Sequence, residues 1–352
     1  MKILIVGGAG FVGSNLAFYL KENGHEITVL DNLVRRGSEN NILTFKERGI
    51  SYYHGDIRNS EDLMLLPDVD VVLLCAAQPC AINYANPVFD ITNNTIGVLN
   101  VLEWCRHRKA ALIFWSTNKV YSGEVCNDIP YEIQNRRFVW NDPDFKRKGW
   151  DYKEGFSEEL SIDGKDHSIY GLSKVCSDLM IQEWSDAFGI PSVINRFSCL
   201  AGPNQWGKAE QGWVSWFVLA NEFNLPLTIY GYGGYQVRDY LFTPDINRLI
   251  EKQIHAVTSS DSKHKGSVYN VGGGHSYSVS LNEALDTLSN SRSWADINFE
   301  ENLRRADQAI YISNISKVCE EFNWEPEVSF VEGCFDIRRW IRTNKDLLEK
   351  LY

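Results

Sequence analysis

KILIVGGAGFVG, residues 2–13, decides the fold. Lys2–Val6 is a short run of β-formers, and the residues from about Phe11 to Glu22 carry the apolar spacing of an amphipathic helix. Between them Gly7, Gly10 and Gly13 form G-x-x-G-x-x-G at a strand-to-helix turn. The first two glycines let the backbone turn tightly and approach a pyrophosphate, and the third lets the helix pack close to the sheet. Backbone N–H groups at the start of that helix, at Phe11 and Val12, point where phosphate oxygens would sit.

Reading outward, His25–Leu30 is a second strand that ends at Asp31-Asn32, about 20 residues after the glycines, where a carboxylate accepts from a ribose 2′-hydroxyl. Asp31 also repels a 2′-phosphate, so NAD is expected over NADP; Arg35-Arg36 in the next loop is the competing signal. Ser51–His54 is a third strand, and Asp56 and Ile57 behind it are candidates for the adenine, with a turn or helix cap as the alternative for Asp56. Val69–Cys75 reads as a strand buried on both faces, a helix follows from about Pro87 to His107, and Ala111–Trp115 is a further strand.

Strands spaced by helices imply right-handed βαβ units. The fold class expected is α/β: a Rossmann-type doubly wound parallel sheet with a smaller α/β substrate-binding domain. The alternation breaks over residues 122–167, which are rich in charge and aromatics, and which read as a substrate-side flap or a surface excursion. A helix resumes from about Ser168 to Phe188, Ser192–Asn195 is a strand, and Tyr240–Ala256 and Ser267–Val271 read as a helix and strand returning to the first domain. The expected division is residues 1–195 with about 236–272 for the dinucleotide, and about 196–235 with 273–352 for the substrate.

Composition bounds the function. The 352 residues are 44% hydrophobic and 23% charged, an ordinary globular mix. With 46 acids against 35 bases the net charge is −11, which disfavours a nucleic-acid binder that must displace counterions. No apolar run approaches the ~20 residues of a membrane span, and the N-terminal glycines interrupt what a signal peptide would need, so a cytoplasmic protein is expected. The eight cysteines are scattered without a C-x-x-C pair, as for buried thiols in a reducing compartment, and no metal site is expected.

The chemistry is expected at Tyr170-Gly-Leu-Ser-Lys174, whose spacing of four puts both side chains on one helical face. A phenol near pKa 10 is a poor base at neutral pH, and the Lys174 ammonium is the group expected to lower it. Thr117 closes the Ala111–Trp115 strand at the carboxyl edge of the sheet, where ligands bind such folds.

Through GGAGFVGS, DN, GDI, CAAQ, NNTIG, STNKVY, YGLSK, QVRDYL and NVGGG the chain resembles the extended short-chain dehydrogenase/reductases that modify nucleotide sugars. Within that family, STNKVY, NRFSCLAGPNQWGKAEQGWVSWF, QVRD and RRADQ are similar to the branch that inverts C2 of a CDP-linked dideoxyhexose. The resemblance implies Thr117, Tyr170 and Lys174 as catalytic positions, bound NAD as cofactor, and Ala76, Ala77 and Asn94 as further cofactor contacts. It implies oxidation of one carbon and re-reduction on the opposite face. Asn118 and Lys119 stand where related dehydratases carry an acid, which argues against dehydration; spacing does not choose C2 over C4.

On the substrate side the resemblance implies Arg238 and Arg304 on the diphosphate of a nucleotide sugar, CDP-linked by preference, with Asn118, Lys119, Gln211 and Asp307 beside it. The alternative for each arginine is an ion pair, Arg238 with Asp239 and Arg304 with Asp307. Tyr230, Tyr232 and Tyr235 are candidate stacking partners for the base, in a loop one residue longer than that branch would have. Trp213, Trp216 and Phe217 share a helical face that reads as core, and Asn195 replaces a basic residue expected before Arg196. Amphipathic helices at about 87–108 and 168–189 imply a homodimer by the same resemblance.

Overall fold

The computed structural model describes residues 1–78, 86–208, 211–289, 293–294 and 296–350. Its first half is a run of parallel strands: β1 (Lys2–Val6), β2 (Glu26–Asp31), β3 (Ser51–His54), β4 (Val71–Leu74) and β5 (Ala111–Thr117). Helix α1 (Phe11–Glu22) joins β1 to β2, and α2 (Gly97–Arg108) precedes β5. Two small hairpins follow, β6 (Tyr131–Gln134) with β7 (Arg137–Trp140) and β8 (Trp150–Asp151) with β9 (Gly155–Phe156). Then come α3 (Ser168–Phe188), β10 (Ser192–Phe197), β11 (Cys199–Ala201), α4 (Trp213–Phe223), β12 (Leu227–Tyr230), β13 (Val237–Phe242), α5 (Thr243–Thr258) and β14 (Ser267–Val271). The chain closes with β15 (Ser278–Ser280), β16 (Ile297–Glu300), β17 (Ile310–Tyr311) and α6 (Phe330–Thr343).

Seven strands form one parallel sheet in the order β14-β10-β5-β4-β1-β2-β3. The expected doubly wound sheet is therefore present. Both faces are covered because both are apolar. On β1, Ile3 and Ile5 join a core with Leu16, Leu20, Leu249 and Ile254 from α1 and α5. Leu4 and Val6 face the other way, into Val98, Leu102 and Ile181 of α2 and α3. Each such side chain taken fully out of water contributes about 1.5–3 kcal/mol. Strand order reverses between β1 and β4, so a crevice opens there at the carboxyl ends of the strands.

A second core gathers Val218, Leu227, Ile229, Phe242, Leu285 and Ile337. It lies under a mixed sheet in which β13 pairs with β11, β15 and β17. The helix read from Tyr240 is corrected: Tyr240 to Phe242 complete β13, and the helix starts at Thr243, with Pro244 in its first turn. The VRDYLF run is buried throughout and takes its hydrogen bonds from strands distant in sequence, which local periodicity does not show.

Residues 122–167 are neither bare excursion nor open flap. Their two hairpins and a short helix, Gly123–Asn127, share a core of Trp140, Trp150, Phe156 and Leu160 with Tyr311 and Ile312. The Phe156 N–H donates to Ile312 O at 2.8 Å and the Phe138 N–H to Tyr235 O at 2.9 Å, which ties the segment to the chain just after β17 and just before β13. The cysteine reading is corrected in part: Cys176 is exposed, Cys75, Cys199 and Cys319 are half-buried, and Cys80 lies outside the described residues. No helix among the described residues is long and apolar enough to cross a membrane.

Candidate active site

A cleft of about 430 Å³ runs along the crevice from the first turn of α1 to the end of β5. Gly7, Gly10, Phe11, Val12 and Gly13 line one end, with Asp31, Asn32, Ile57, Ala76 and Ala77. Thr117, Lys119, Tyr170 and Lys174 line the other, with Gln211 and Trp213. Six of the expected residues stand outside the lining: Asp56, Asn94, Asn118, Arg238, Arg304 and Asp307.

The glycine turn is built for close approach. Gly7 has φ +78°, and a Cβ there would lie 2.6 Å from Ala76 Cα. A Cβ at Gly13 would lie 2.4 Å from Gly7 O. At Gly10 the nearest protein atom would be 3.3 Å away, so the room there is kept for something other than the chain itself. Gly10 caps α1 without a side chain, and the first turn carries no acid, so its positive end opens on the cleft. Asp31 accepts from Ala9 N at 3.0 Å and Leu33 N at 2.8 Å; burial pushes its carboxyl up, and these backbone donors oppose the rise. The cradle, the helix end and the cleft-lining carboxylate together fit a dinucleotide.

Asp56 does not face the cleft. It takes Asn32 Nδ2 at 2.9 Å and a bidentate Arg58, whose guanidinium holds its carboxyl down at about 2. Arg35 is not left facing a phosphate either: it reaches across the mouth of the cleft to the Gln211 side-chain oxygen. Asn94 is fully buried in a single π-helical turn, Thr92–Ile96, a kind of turn frequent at functional sites. Its amide ties Gln78 to Ser173, accepting from Gln78 N at 2.7 Å and donating to Ser173 Oγ at 2.9 Å.

At the other end, Thr117 and the half-buried Tyr170 line the cleft together. The expected depression of that phenol by Lys174 is corrected. Burial pushes Tyr170 up to about 12, partly opposed by Thr117, and Asp90 raises it further. Lys174 is 1% exposed, and its Nζ lies 4.0 Å from the centre of the Phe114 ring. Burial pulls its ammonium down to about 7, while Asp178 and Cys75 favour the charge.

This has a consequence for stability. Unfolded, Lys174 titrates near pKa ~10.4. Between the folded and unfolded values the unfolded chain holds a proton that the folded chain lacks, so folding is opposed and stability rises with pH across that window. Lys174→Met is therefore expected to raise the melting temperature of dinucleotide-free protein at pH 7 by several degrees. The gain should shrink toward pH ~10. Differential scanning fluorimetry across pH checks it; a lower melting temperature at pH 7 would show that the ammonium supports the fold.

Lys119 follows Thr117 by two residues. Its Nζ donates to Ala306 O at 3.1 Å and lies 3.7 Å from Asp307 Oδ1, and burial lowers its pKa. Arg238 donates to the same Oδ1 at 2.6 Å. Of the two ion pairs weighed as alternatives, that of Arg238 is corrected: Arg238 pairs with Asp307, while Asp239 accepts from Ser198, Gly274 and Ser313. The Arg304 guanidinium lies 4.2 Å over the Tyr230 ring. Tyr232 and Tyr235 pack on Phe138, centroids 5.7 and 5.8 Å away. Trp213 both lines the cleft and packs on Phe217, so the helical face read as core serves both. Asn195 pairs with Gln253 instead of facing a ligand.

Sequence reasoning passed over Asp178, although Tyr170, Lys174 and Asp178 recur every fourth residue along α3. Among the described residues no group of three metal-ligating side chains converges.

A family model described as the NAD dependent epimerase/dehydratase family matches residues 3–272. CDP-paratose 2-epimerase of Salmonella typhi is 32% identical, over 97% of this chain and 99% of that one. A dTDP-glucose 4,6-dehydratase of Salmonella typhimurium is 26% identical over 98% of this chain and 93% of that one. The crystal structure of a Thermotoga maritima UDP-glucose 4-epimerase with UDP-glucose superposes with a TM-score of 0.76 at 25% identity, over 98% and 100% of the two chains.

Proposed function

The chain belongs to the NAD-dependent epimerase/dehydratase family, and on that premise we propose that it inverts one carbon of a nucleotide-diphosphate sugar, C2 of a CDP-linked dideoxyhexose. One observation carries the choice of epimerisation over dehydration. Among the described residues lining the cleft, the only carboxylate is Asp31, at the glycine end. Around Thr117 and Tyr170 the described lining residues offer hydroxyls, Lys119 and Lys174, and among them no second acid–base carboxyl for loss of water. The choice of CDP and of C2 rests on the likeness to the Salmonella typhi protein.

In this reading Gly7, Gly10 and the first turn of α1 hold the pyrophosphate of NAD, and Asp31 its adenosine ribose. Bound there, NAD supplies reversible acceptance of two electrons and a hydrogen from carbon. In its ionised form, which the positive charges of Lys174 and of bound NAD would favour against burial, Tyr170 takes the proton of the substrate hydroxyl and later returns one, and Thr117 holds that hydroxyl in line. Lys174 supplies positive charge beside both. Lys119 faces the charged side of the substrate, and Arg238, outside the lining, backs it through their shared Asp307. Residues 1–195 with about 243–272 form the cofactor side and the remainder, with β13, the sugar-nucleotide side, while Thr117, Lys119 and Tyr170 stand where the two meet. Apolar Val88, Ile96, Leu172 and Leu179 are exposed on the helices flanking this site, which supports a homodimer through that face.

The test is incubation with a panel of CDP-, UDP-, GDP- and dTDP-sugars, followed by NMR of the products. The expected result is a C2 epimer from a CDP-dideoxyhexose alone. A 4-epimer from a UDP-sugar, or a dehydrated ketosugar, would replace this reading.

A further inference from the structure

Lys119 stands two residues beyond Thr117, on the short turn Asn118–Val120 that Thr117 caps. Its backbone N–H donates to Thr117 Oγ1 at 3.2 Å, so the two residues are fixed to one another, and both line the cleft. An ammonium has three donors. Lys119 Nζ gives one to Ala306 O at 3.1 Å and one to Gln308 Oε1 at 3.4 Å, and among the described residues nothing takes the third. The charge is as incompletely matched as the donors. Lys119 Nζ, at 3.7 Å, and Arg238 Nη2, at 2.6 Å, share Asp307 Oδ1, and among the described residues neither cation has another carboxylate within ion-pair reach. Two cations on one carboxylate leave one positive charge over, on side chains no more than 19% exposed. Charges taken out of water are ordinarily paired, so the surplus calls for an anion, and the cleft is where one can enter.

We propose that Lys119 determines which carbon of the sugar reacts: its ammonium takes the phosphate joined to the sugar and holds it beside Thr117. That phosphate hangs from C1. C2 is bonded to C1, so a phosphate held next to Thr117 brings the C2 hydroxyl to Thr117 and Tyr170, while C4 stands across the ring. Arg238 lies outside the lining and is tied to Asp307, so of the two cations on that carboxylate Lys119 is the one that meets the ligand. This role rests on the nucleotide-sugar reading above, and it supplies for C2 a reason independent of likeness.

The experiment is calorimetric binding of CDP and of CMP to protein carrying its dinucleotide, so that the nucleotides meet only the substrate side. Lys119→Met is expected to weaken CDP binding by about 10–100-fold, the range of a hydrogen bond to a charged group, and CMP binding far less. Asp307→Asn, which removes the carboxylate that competes for the ammonium, is expected to tighten CDP binding several-fold. A pair that only supports the fold predicts weaker binding in both variants. Where Lys119→Met fails to fold, Lys119→Gln removes the charge but keeps an N–H for Ala306 O, and carries the same expectation. Equal losses for CDP and CMP, or weaker CDP binding in both variants, overturn the proposal. So does unchanged CDP binding in Lys119→Met, the result expected if the ammonium instead meets a carboxylate on the sugar. UDP and UMP are run alongside: tighter binding of UDP would correct the base in the reading above and leave the comparison of diphosphate with monophosphate in force. A 4-epimer from the sugar panel with the opposed signs intact would overturn the link from Lys119 to C2, and with it the C2 assignment, while the phosphate contact stands.

Discussion

Tyr170→Phe is expected to lower turnover by about a thousandfold while leaving the fold and the bound dinucleotide in place. The phenol lines the same end of the cleft as Thr117 and lies on the same helical face as Lys174. Positioned acid–base groups contribute about 10²–10⁴ in rate, and no other hydroxyl on α3 lines the cleft to replace it. The ring itself is half-buried and its removal of one oxygen leaves no cavity, so the melting temperature should stay within about a degree of the parent. Rates on the productive sugar nucleotide and a thermal melt check both halves. Full turnover in the variant would remove Tyr170 from the reaction.

Gly10→Ala is expected to abolish copurification of the dinucleotide and weaken its binding by at least about a hundredfold, or roughly 2.7 kcal/mol. The argument turns on where the new methyl goes. Gly10 has φ −74° and ψ −176°, extended backbone open to any residue, and its nearest protein contact would be 3.3 Å away. The chain can therefore accept an alanine. The methyl instead occupies the approach to the positive end of α1. Gly7→Ala and Gly13→Ala make less informative variants, because their methyl groups would meet backbone at 2.6 and 2.4 Å and disturb the turn itself. Absorbance and chromatography of the released cofactor, with a melt near that of parent protein stripped of dinucleotide, give the outcome. Retained dinucleotide would move the pyrophosphate away from Gly10.

These two residues were legible because their signals are local. Gly10 sits in a contiguous turn between a strand and a helix, and Tyr170 with Lys174 is a spacing on one helix. What the sequence hid depends on partners far along the chain. The hairpins of residues 131–156 take their place from Tyr235 and Ile312, and VRDYLF is a strand because β15 and β17 lie beside it. Arg238 was seen with its neighbour Asp239, yet it pairs with Asp307, 69 residues on. Asp178 was passed over although it is the third step of a four-residue spacing, and nothing local shows that Arg196 grips it. The one error of chemistry lay in weighing charge over burial: the Lys174 ammonium was expected to lower Tyr170, and desolvation of both groups moves each toward its neutral form.

The central claim is that one carbon is oxidised and re-reduced within a single closed cycle, with no carboxylate among the described lining residues around Tyr170 to exchange its hydrogen with water. The direct measurement is the reaction run in deuterium oxide, with the epimer analysed by NMR and mass spectrometry after a single pass. The account predicts no deuterium at the inverted carbon, because the hydrogen taken from it is returned from inside the site. Deuterium at that carbon would contradict the account and establish inversion by proton abstraction.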